Sequence, residues 1–279
     1  MSNQDMSVSK PDHLAPAEIL AKAELVGVNK ANSPAPRIFV LAILSGMFIA
    51  MGGMFMLLVK SDPTFSFAAS QIVGALAFCL GLFLVVLTGA ELFTGNILMI
   101  CGKYSKRFGW GKMLKNWGIV YLGNLVGSLL MVTILFFANY AGMNGGGVGD
   151  AMITVATNKV AQPIMVLLFK GIMCNLLVCL AVWICYAGRT VVDKFFGILL
   201  PITAFVACGF EHSVANMFFL PMGLVMQASD FIYSGAVDLS LLTLGAVITN
   251  LIMVTLGNII GGGVLVGSAF WLAYHKKES

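Results

Sequence analysis

The sequence predicts an all-α membrane protein whose six transmembrane helices form an inverted repeat of three and three. Hydrophobic residues make up 59% of the chain and charged residues 10%, against about 25% charged residues in an ordinary soluble domain. Apolar runs long enough to cross a hydrocarbon core recur along the chain, and two short phrases recur in the same order in its two halves. These observations exclude a soluble enzyme.

The N-terminal region, residues 1–37, is expected to be a cytoplasmic tail in which residues 1–13 are disordered. Residues 14–31 carry a proline near their start and apolar residues close to a helical period, which predicts a short amphipathic helix on the membrane face. No cleavable signal sequence is expected in this tail. Residues 38–274 would form the transmembrane domain and residues 275–279 a short cytoplasmic C-terminal tail.

Each of the apolar segments in residues 38–274 is long enough to span the membrane, which takes about 20 helical residues. They lie at about 38–59, 66–102, 113–140, 160–188, 195–226 and 239–274. The second and fifth are too long for one straight crossing, and each carries an acidic residue in its middle, Glu91 and Glu211. Both are therefore expected to be interrupted helices.

The distribution of Lys and Arg near the membrane ends predicts the topology. Alternate connections contain Lys30, Arg37, Lys103, Lys106, Arg107, Lys112, Lys115, Arg189, Lys194, Lys276 and Lys277. The opposite connections contain only Lys60 and Lys159. This bias predicts six crossings of a cell membrane with both termini in the cytoplasm. Because most basic residues belong to these short loops, the net charge of +4 argues against a nucleic-acid partner.

The two halves share two phrases in the same order. Residues 89–96 (GAELFTGN) and 209–216 (GFEHSVAN) share the pattern G-x-E-x-x-x-x-N, and residues 122–128 (LGNLVGS) match residues 256–262 (LGNIIGG). Three crossings per half make the second half inverted, an arrangement in which interrupted helices meet near the bilayer midplane. The repeat therefore predicts that the two breaks lie together inside the protein or beside a polar pathway.

The helix N-termini after the breaks, near Thr94 and Ser213, would offer free N–H groups and partial positive charge to an anion. This predicts an anion-conducting pore. An alternative is that Gly89, Gly95 and Gly209 only allow close helix packing. That alternative does not explain why an acidic residue accompanies each break.

Other classes of site and function find little support in the sequence. The cysteines lie in apolar segments without metal-ligand spacing and are expected to be buried and inert; they are Cys79, Cys101, Cys174, Cys179, Cys185 and Cys208. No metal or cofactor is expected. A membrane enzyme is the main alternative, but His212 and Ser213 are helix neighbours that do not face each other, and no hydrolase or metalloprotease motif occurs. A water or glycerol channel would need paired NPA motifs, which are absent.

Six phrases that cover all six segments resemble the formate-nitrite transporter family, the pentameric membrane channels for formate, nitrite and hydrosulfide. They are SGMFIAMGG (45–53), GAELFTGN (89–96), WGIVYLGNLVGS (117–128), KGIMCNLLVCLAVW (170–183), GFEHSVANM (209–217) and GNIIGGGVLVG (257–267). The resemblance implies an aquaporin-like fold with the second and fifth helices broken. It also implies one pore in each protomer of a homopentamer, with a small anion and protons as the transported partners.

The resemblance further assigns roles to individual residues. A central histidine, His212, would face a loop threonine, Thr94, with Lys159 in the outer vestibule and Asn175 nearby. The apolar constrictions would be formed by Phe78, Leu82, Leu92, Phe93, Val178 and Phe205. On the residues alone, the three phenylalanines of this set are typical of ordinary core.

The expected chemistry follows from the cost of burying a charge. A monovalent anion enters a dry constriction only at a cost of several kcal/mol, whereas the neutral acid does not bear this cost. Lys159 would concentrate anions at the outer mouth, and His212 would supply a hydrogen bond or a proton, because an imidazole ordinarily titrates near neutral pH. Thr94 would orient His212 or contact the substrate, and its hydroxyl also suits an N-cap.

Three further charges lie inside the spans: Glu91, Lys170 and Glu211. Two acids and one base leave one negative charge, which a protonated His212 would cancel. We therefore expect the acids to brace the broken helices and to support protonation of His212, with Lys170 paired to one of them. A purely structural salt bridge is the alternative for Glu91 and Lys170.

Two further expectations concern the substrate and the N-terminal helix. Residues 210–223 and 187–195 look most like the formate channels, which favours formate, whereas residues 89–96 depart towards the nitrite and hydrosulfide branches. Nitrite and hydrosulfide therefore remain alternatives. The helix at 14–31 would either cover the inner mouth of a pore or only anchor the chain to the membrane surface.

Overall fold

The structure is a computed structural model that describes residues 13–275. Within that range the chain is helical and contains no strand. The disorder expected for the first residues, Lys276, Lys277 and most of the predicted C-terminal tail lie outside the described residues.

The described part of the chain contains twelve α-helices. They are α1 (Pro16–Asn32), α2 (Ala35–Lys60), α3 (Phe67–Thr88), α4 (Phe93–Asn96), α5 (Ile100–Tyr104), α6 (Trp110–Phe137), α7 (Gly147–Val160), α8 (Ile164–Ala187), α9 (Val191–Ala207), α10 (Ser213–Ala228), α11 (Leu244–Ile259) and α12 (Ala269–Tyr274). Short 3₁₀ segments lie at Ile97–Met99, Tyr140–Gly146 and Leu239–Leu241, and a π-helical segment, Ile260–Ser268, joins α11 to α12.

Five helical segments of the described chain are long and apolar enough to cross a membrane by length and composition. They are Ala35–Lys60, Phe67–Thr88, Trp110–Phe137, Ile164–Ala187 and Leu244–Tyr274. Many of their large apolar side chains are exposed at the protein surface, as lipid-facing side chains are. The predicted fifth segment is divided into α9 and the shorter apolar helix α10.

Both predicted interruptions are present, and each follows a glycine in the left-handed conformation. Gly89 ends α3 with φ of 71°, and Gly209 follows α9 with φ of 69°. A Cβ atom on either glycine would meet nothing within 4 Å, so space for a neighbouring helix is not the reason for glycine here. The packing alternative is therefore wrong at these two positions, where the backbone conformation itself favours glycine.

Close helix packing instead uses the glycines of the other repeated phrase. A Cβ atom on Gly127 would lie 2.0 Å from the carbonyl oxygen of Ile43, and one on Gly261 would lie 2.1 Å from that of Ile172. The backbone of α6 thus lies directly against the backbone of α2, and the backbone of the π-helical segment lies directly against that of α8. This close approach brings the asparagines of the same phrase, Asn124 and Asn258, to the two breaks.

The connection before α8 differs from the prediction. It contains a helix, α7, in a stretch that was predicted to be a connection between two spans. Its glycine-rich start hides the helical period, and Asn144, Gly145 and Gly146 turn the chain with positive φ just before it. Lys159 consequently lies in the last turn of a helix.

The cysteines follow the prediction except at one position. Cys79, Cys101, Cys174, Cys179 and Cys185 are buried, and all six thiols are free. Cys208 is exposed, because it follows the last residue of α9, where the chain leaves the helix. The expectation that all of them are buried is therefore wrong for Cys208. Residues 13–275 contain no group of His, Cys, Asp and Glu that could hold a metal ion.

Candidate functional site

A single asparagine satisfies the backbone of the first break. Asn124 Oδ1 accepts from the Phe93 N–H at 2.9 Å, and its Nδ2 donates to the carbonyls of Ala42 and Glu91 at 2.8 and 2.9 Å. The Glu91 N–H donates to the carbonyl of Leu41 at 3.2 Å. Because lipid cannot satisfy these groups, the side-chain amide makes the break tolerable inside the membrane.

The second break is satisfied in the same way. Asn258 Oδ1 accepts from the Ser213 N–H at 2.9 Å, and its Nδ2 donates to the carbonyls of Gly171 and Glu211 at 2.8 and 3.0 Å. The Glu211 N–H donates to the carbonyl of Lys170 at 3.3 Å. The repeated phrase L-G-N thus carries the groups that hold both loops, a role that the sequence reading did not assign to it.

The carboxylate of Glu91 belongs to a buried network whose cation comes from α1. Lys30 Nζ lies 2.9 Å from Glu91 Oε2 and 2.8 Å from Asn96 Oδ1. Asn96 Nδ2 donates to the same carboxylate and, at 2.9 Å, to Asn116 Oδ1. The N-terminal helix therefore supplies a charge to the first break.

The carboxylate of Glu211 has an equivalent network whose cation comes from α7. Lys159 Nζ lies 3.1 and 3.0 Å from its two oxygens. Asn216 Nδ2 donates to Glu211 Oε2 at 2.7 Å and to Asn250 Oδ1 at 2.8 Å. Side chains of Glu91 and Glu211 are 8% and 2% exposed, so each acid is a buried charge compensated by its own lysine.

These pairs correct the expectation for Lys170. The two acids pair with Lys30 and Lys159, so the prediction that Lys170 pairs with one of them is wrong. The surplus negative charge that a protonated His212 was expected to cancel is absent for the same reason. Tertiary packing of α1 and α7 brings the two lysines to the breaks, and neither contact follows from sequence spacing.

Thr94 and His212 meet between the two breaks. Thr94 Oγ1 lies 2.9 Å from His212 Nε2, and His212 Nδ1 accepts from the Ala215 N–H at 3.0 Å. The two residues are 0% and 3% exposed. Because a backbone N–H can only donate, Nδ1 carries no proton, and the neutral imidazole donates through Nε2 to the Thr94 hydroxyl. That leaves the Thr94 hydroxyl proton free to donate onward.

Asn175 lies behind this pair. Its Nδ2 donates to the carbonyls of Thr94 at 3.3 Å and Asn258 at 2.7 Å, and the Cys179 thiol lies 3.5 Å from the same Thr94 carbonyl. Asn175 therefore acts on the backbone of Thr94 and links the two breaks. The Phe205 ring lies against the His212 ring, with centroids 5.9 Å apart and planes inclined by 25°.

Two cavities flank the pair, and we name them outer and inner after the topology that the Lys and Arg bias predicts. The outer cavity, of about 830 Å³, is lined by His212, Phe78 and Phe205. The inner cavity, of about 400 Å³, is lined by Leu82 and Leu92. Four of the predicted constriction residues therefore lie along these cavities, two on each side.

The other two predicted constriction residues are buried but belong to the lining of neither cavity. Phe93 packs edge-on against Trp117 and Tyr121, with ring centroids 6.1 and 5.0 Å apart. Val178 is 1% exposed. Their contribution to a constriction remains a prediction from the resemblance.

The N-terminal helix forms part of the inner cavity, whose lining includes Lys22, Asn29 and Lys30. Lys22 Nζ donates to the carbonyl of Tyr186 at 2.8 Å. Burial lowers the pKa of Lys22, and the nearby positive charges of Lys194 and Arg189 lower it further. The helix is thus tied to α8 at the cavity wall.

Several polar residues of the site were not predicted from the sequence. The repeat contained Asn96, Asn124, Asn216 and Asn258, whose pairing could have been inferred from the order of the shared phrases. Extending the second phrase backwards by six residues would also have aligned Asn116 with Asn250. Nothing in the local pattern around Lys30 distinguishes it from an ordinary loop lysine.

Comparison with known proteins gives a consistent result. The family described as formate/nitrite transporter matches residues 17–272. The formate channel FocA of Escherichia coli strain K12 is 42% identical over 275 residues, covering 96% of each chain. The uncharacterized transporter YrhG of Bacillus subtilis strain 168 is 39% identical over 276 residues, covering 98% of this chain and 96% of that protein.

A solved structure described as a pentameric formate channel with formate bound is also similar. It is 36% identical, with a TM-score of 0.77, and the match covers 87% of this chain and 98% of that chain. The apolar helices and these channel relatives make the protein a multi-pass membrane protein. The chain belongs to the formate/nitrite transporter family.

Proposed function

We propose that this protein is a membrane channel for small monovalent anions of weak acids, with formate as its substrate. The observation that carries the proposal is the buried hydrogen bond between Thr94 and His212, which lies between an outer and an inner cavity. Relatives named as formate channels, 42% and 36% identical to this chain, support formate as the anion.

The sequence at the first break does not favour another anion. Gly95 and Asn96 depart from the formate channels towards the nitrite and hydrosulfide branches. Asn96 binds Lys30, Glu91 and Asn116, so its presence is accounted for by the network that holds the break. Its amide thus gives no reason to prefer nitrite or hydrosulfide.

The proposed architecture is an inverted repeat of three and three crossings, in which α3 with α4 and α9 with α10 are the broken helices. The matched bonds of Asn124 and Asn258 and the matched pairs Lys30–Glu91 and Lys159–Glu211 support this repeat. The pentameric formate channel supports a homopentamer with one pore in each protomer. The Lys and Arg bias supports cytoplasmic termini.

The proposed permeation step uses hydrogen bonds that are already aligned. The Ala215 N–H donates to His212 Nδ1, and His212 Nε2 donates to Thr94, which polarises the Thr94 hydroxyl towards a bound oxygen. Phe78 and Phe205 exclude water on the outer side, so a bare anion would lose its hydration there at a cost of several kcal/mol. We infer that formate takes up a proton from the solution on the side it enters and passes as neutral formic acid, hydrogen-bonded to Thr94 midway. The proton is released with the anion on the other side.

The experiment is uptake of labelled formate by liposomes that contain the purified protein, under an imposed pH gradient. We expect uptake that rises when the external solution is made more acidic than the lumen, and that falls to the level of empty liposomes in His212→Phe. His13→Phe is the matched control, because it removes a histidine outside the spans. Absence of flux for formate, nitrite and hydrosulfide would overturn the channel assignment, and normal flux in His212→Phe would overturn the role of the pair.

A further inference from the structure

The positive charge of the outer cavity is not where the resemblance puts it. Lys159 lines this cavity, but both oxygens of Glu211 bind it, so its charge is largely cancelled. The other acidic residue of the lining, Asp150, accepts hydrogen bonds from the backbone and hydroxyl of Ser234. Among the described residues, the lining charges without a carboxylate partner are those of Lys60 and Lys170.

Lys60 is held in place by a neutral partner. It is the last residue of α2, and its Nζ donates to Gln71 Oε1, while Gln71 Nε2 donates to the carbonyl of Ala207 at 3.1 Å. A Cβ atom on Gly74 would lie 3.6 Å from Lys60 Cε, so the lysine stem runs along α3. The amide therefore fixes the ammonium between α2, α3 and α9 without cancelling its charge.

Lys170 is less well fixed. No hydrogen bond or ion pair restrains its ammonium within residues 13–275. It also borders an apolar groove lined by Met165, Phe169 and Phe210. The long side chain of Lys170, which lies between the cavity and this groove, does not fix its ammonium at one position in the cavity.

We propose that Lys60, fixed by Gln71, is an outer anion-binding site that takes up a small monovalent carboxylate before it reaches Thr94. An ammonium has three N–H donors; Gln71 uses one, and the other two are available to the oxygens of the anion. Charge-assisted hydrogen bonds of this kind are about twice as strong as neutral ones. The role as a loading site rests on the proposed function, whereas anion binding itself does not.

The transport test compares variants that remove, keep or cancel the charge. Lys60→Met is expected to raise the formate concentration for half-maximal uptake roughly five- to tenfold at low ionic strength, because it removes one unit charge from a partly solvated cavity. The maximal rate should stay nearly unchanged. Lys60→Arg should stay close to the original protein. Gln71→Glu should act like Lys60→Met, because a carboxylate would cancel the charge while leaving the lysine in place.

Two controls make the result specific. Lys115→Met removes the same charge from an exposed position on α6 outside the cavity and should leave the half-maximal concentration unchanged. Salt should reduce the difference between the original protein and Lys60→Met, because the screening length falls to about 10 Å at 0.1 M ionic strength. Equal half-maximal concentrations in the original protein, Lys60→Met and Gln71→Glu would overturn the loading site.

A second measurement does not depend on transport. Crystals soaked in bromide, a monovalent anion located by its anomalous scattering, should show a peak beside Lys60 Nζ that is absent in Lys60→Met. A protein that binds bromide there but transports no formate would retain the anion site and refute the proposed function. Formate uptake with no bromide peak at Lys60 and unchanged half-maximal concentrations would refute the site and retain the function.

Discussion

Thr94 Oγ1 and His212 Nε2 are joined by a buried hydrogen bond of 2.9 Å, and the other ring nitrogen of His212 caps the helix that begins at Ser213. One imidazole therefore combines a structural role at Nδ1 with the proposed transport role at Nε2. Protonation of Nδ1 would break the cap. The neutral imidazole therefore donates a hydrogen bond through Nε2 while Nδ1 accepts one. Substitution of His212 can separate these two roles.

The first prediction separates these two roles. His212→Asn retains an acceptor suited to a helix N-cap, whereas His212→Phe does not. Both should lose formate uptake by more than about tenfold, because neither supplies the Nε2 donor. Only the phenylalanine variant should lose about 1 kcal/mol of stability, measured by thermal unfolding in detergent. Substantial uptake by His212→Asn would contradict the assigned role of Nε2.

The second prediction concerns the hydroxyl of Thr94. Thr94→Ser retains it and should keep most of the uptake. Thr94→Val has nearly the same volume but leaves the buried Nε2–H without an acceptor, at a cost of about 1–3 kcal/mol. We expect that variant to be less stable and to transport poorly in the liposome assay. Equal uptake by the serine and valine variants would show that the hydroxyl takes no part.

The sequence was sufficient to predict the parts of the fold that depend on local patterns. Apolar length predicted the five segments that are long and apolar enough to cross a membrane. The acids Glu91 and Glu211 in the middle of overlong segments predicted both interruptions. The resemblance placed Thr94 opposite His212, and the structure has a hydrogen bond between these two side chains. These features follow from residues near one another in sequence or from phrases that recur.

The features that the sequence did not predict depend on tertiary packing. Lys30 reaches Glu91 only because α1 folds back over the first break, and Lys159 reaches Glu211 because an unpredicted helix, α7, ends beside the second. The two lysines that balance the acids lie outside the predicted spans, so a sum of the charges within the spans did not include them. Lys170, which that sum included, binds neither acid.

The third prediction tests these ion pairs. Removing one partner of a buried pair leaves an uncompensated charge and costs roughly 3–5 kcal/mol, so Lys159→Met should destabilise the protein strongly. The double variant Lys159→Met with Glu211→Gln should recover a large part of that loss. Thermal unfolding of the two single variants and the double variant gives the coupling energy. Additive effects of the two substitutions would contradict the assigned pairing.

The fourth prediction concerns the glycines that end the helices before the breaks. Gly89→Ala and Gly209→Ala should each cost about 1–2 kcal/mol, since an L-residue is strained at positive φ. Gly118→Ala is the matched control, because it lies inside α6 with nothing within 4 Å of an added Cβ, and it should be neutral or stabilising. Unfolding midpoints of the three variants check this. A control as destabilised as the other two would refute the conformational argument.

The last prediction concerns how α1 is fastened over the inner cavity. Glu24 of α1 is 8% exposed and accepts a hydrogen bond from Ser105 Oγ, which in turn accepts from Trp271 Nε1 at 2.8 Å. Arg107 Nε and His275 Nδ1 lie 3.8 and 3.9 Å from the carboxylate. One buried acid thus joins the N-terminal helix to the segment after α5 and to the C-terminal end of the chain.

Loss of that carboxylate should loosen α1 without disturbing the spans. In Glu24→Ala, hydrogen exchange of amides in residues 16–32 should become faster, while exchange in α8 stays unchanged, because local opening follows the loss of local contacts. Glu18→Ala is the control, since Glu18 belongs to the same helix but bonds only the exposed start of it. Equal exchange of α1 in both variants would show that Glu24 does not fasten the helix. Faster exchange with unchanged formate uptake would assign α1 to anchoring, whereas increased uptake would assign it to closing the inner cavity.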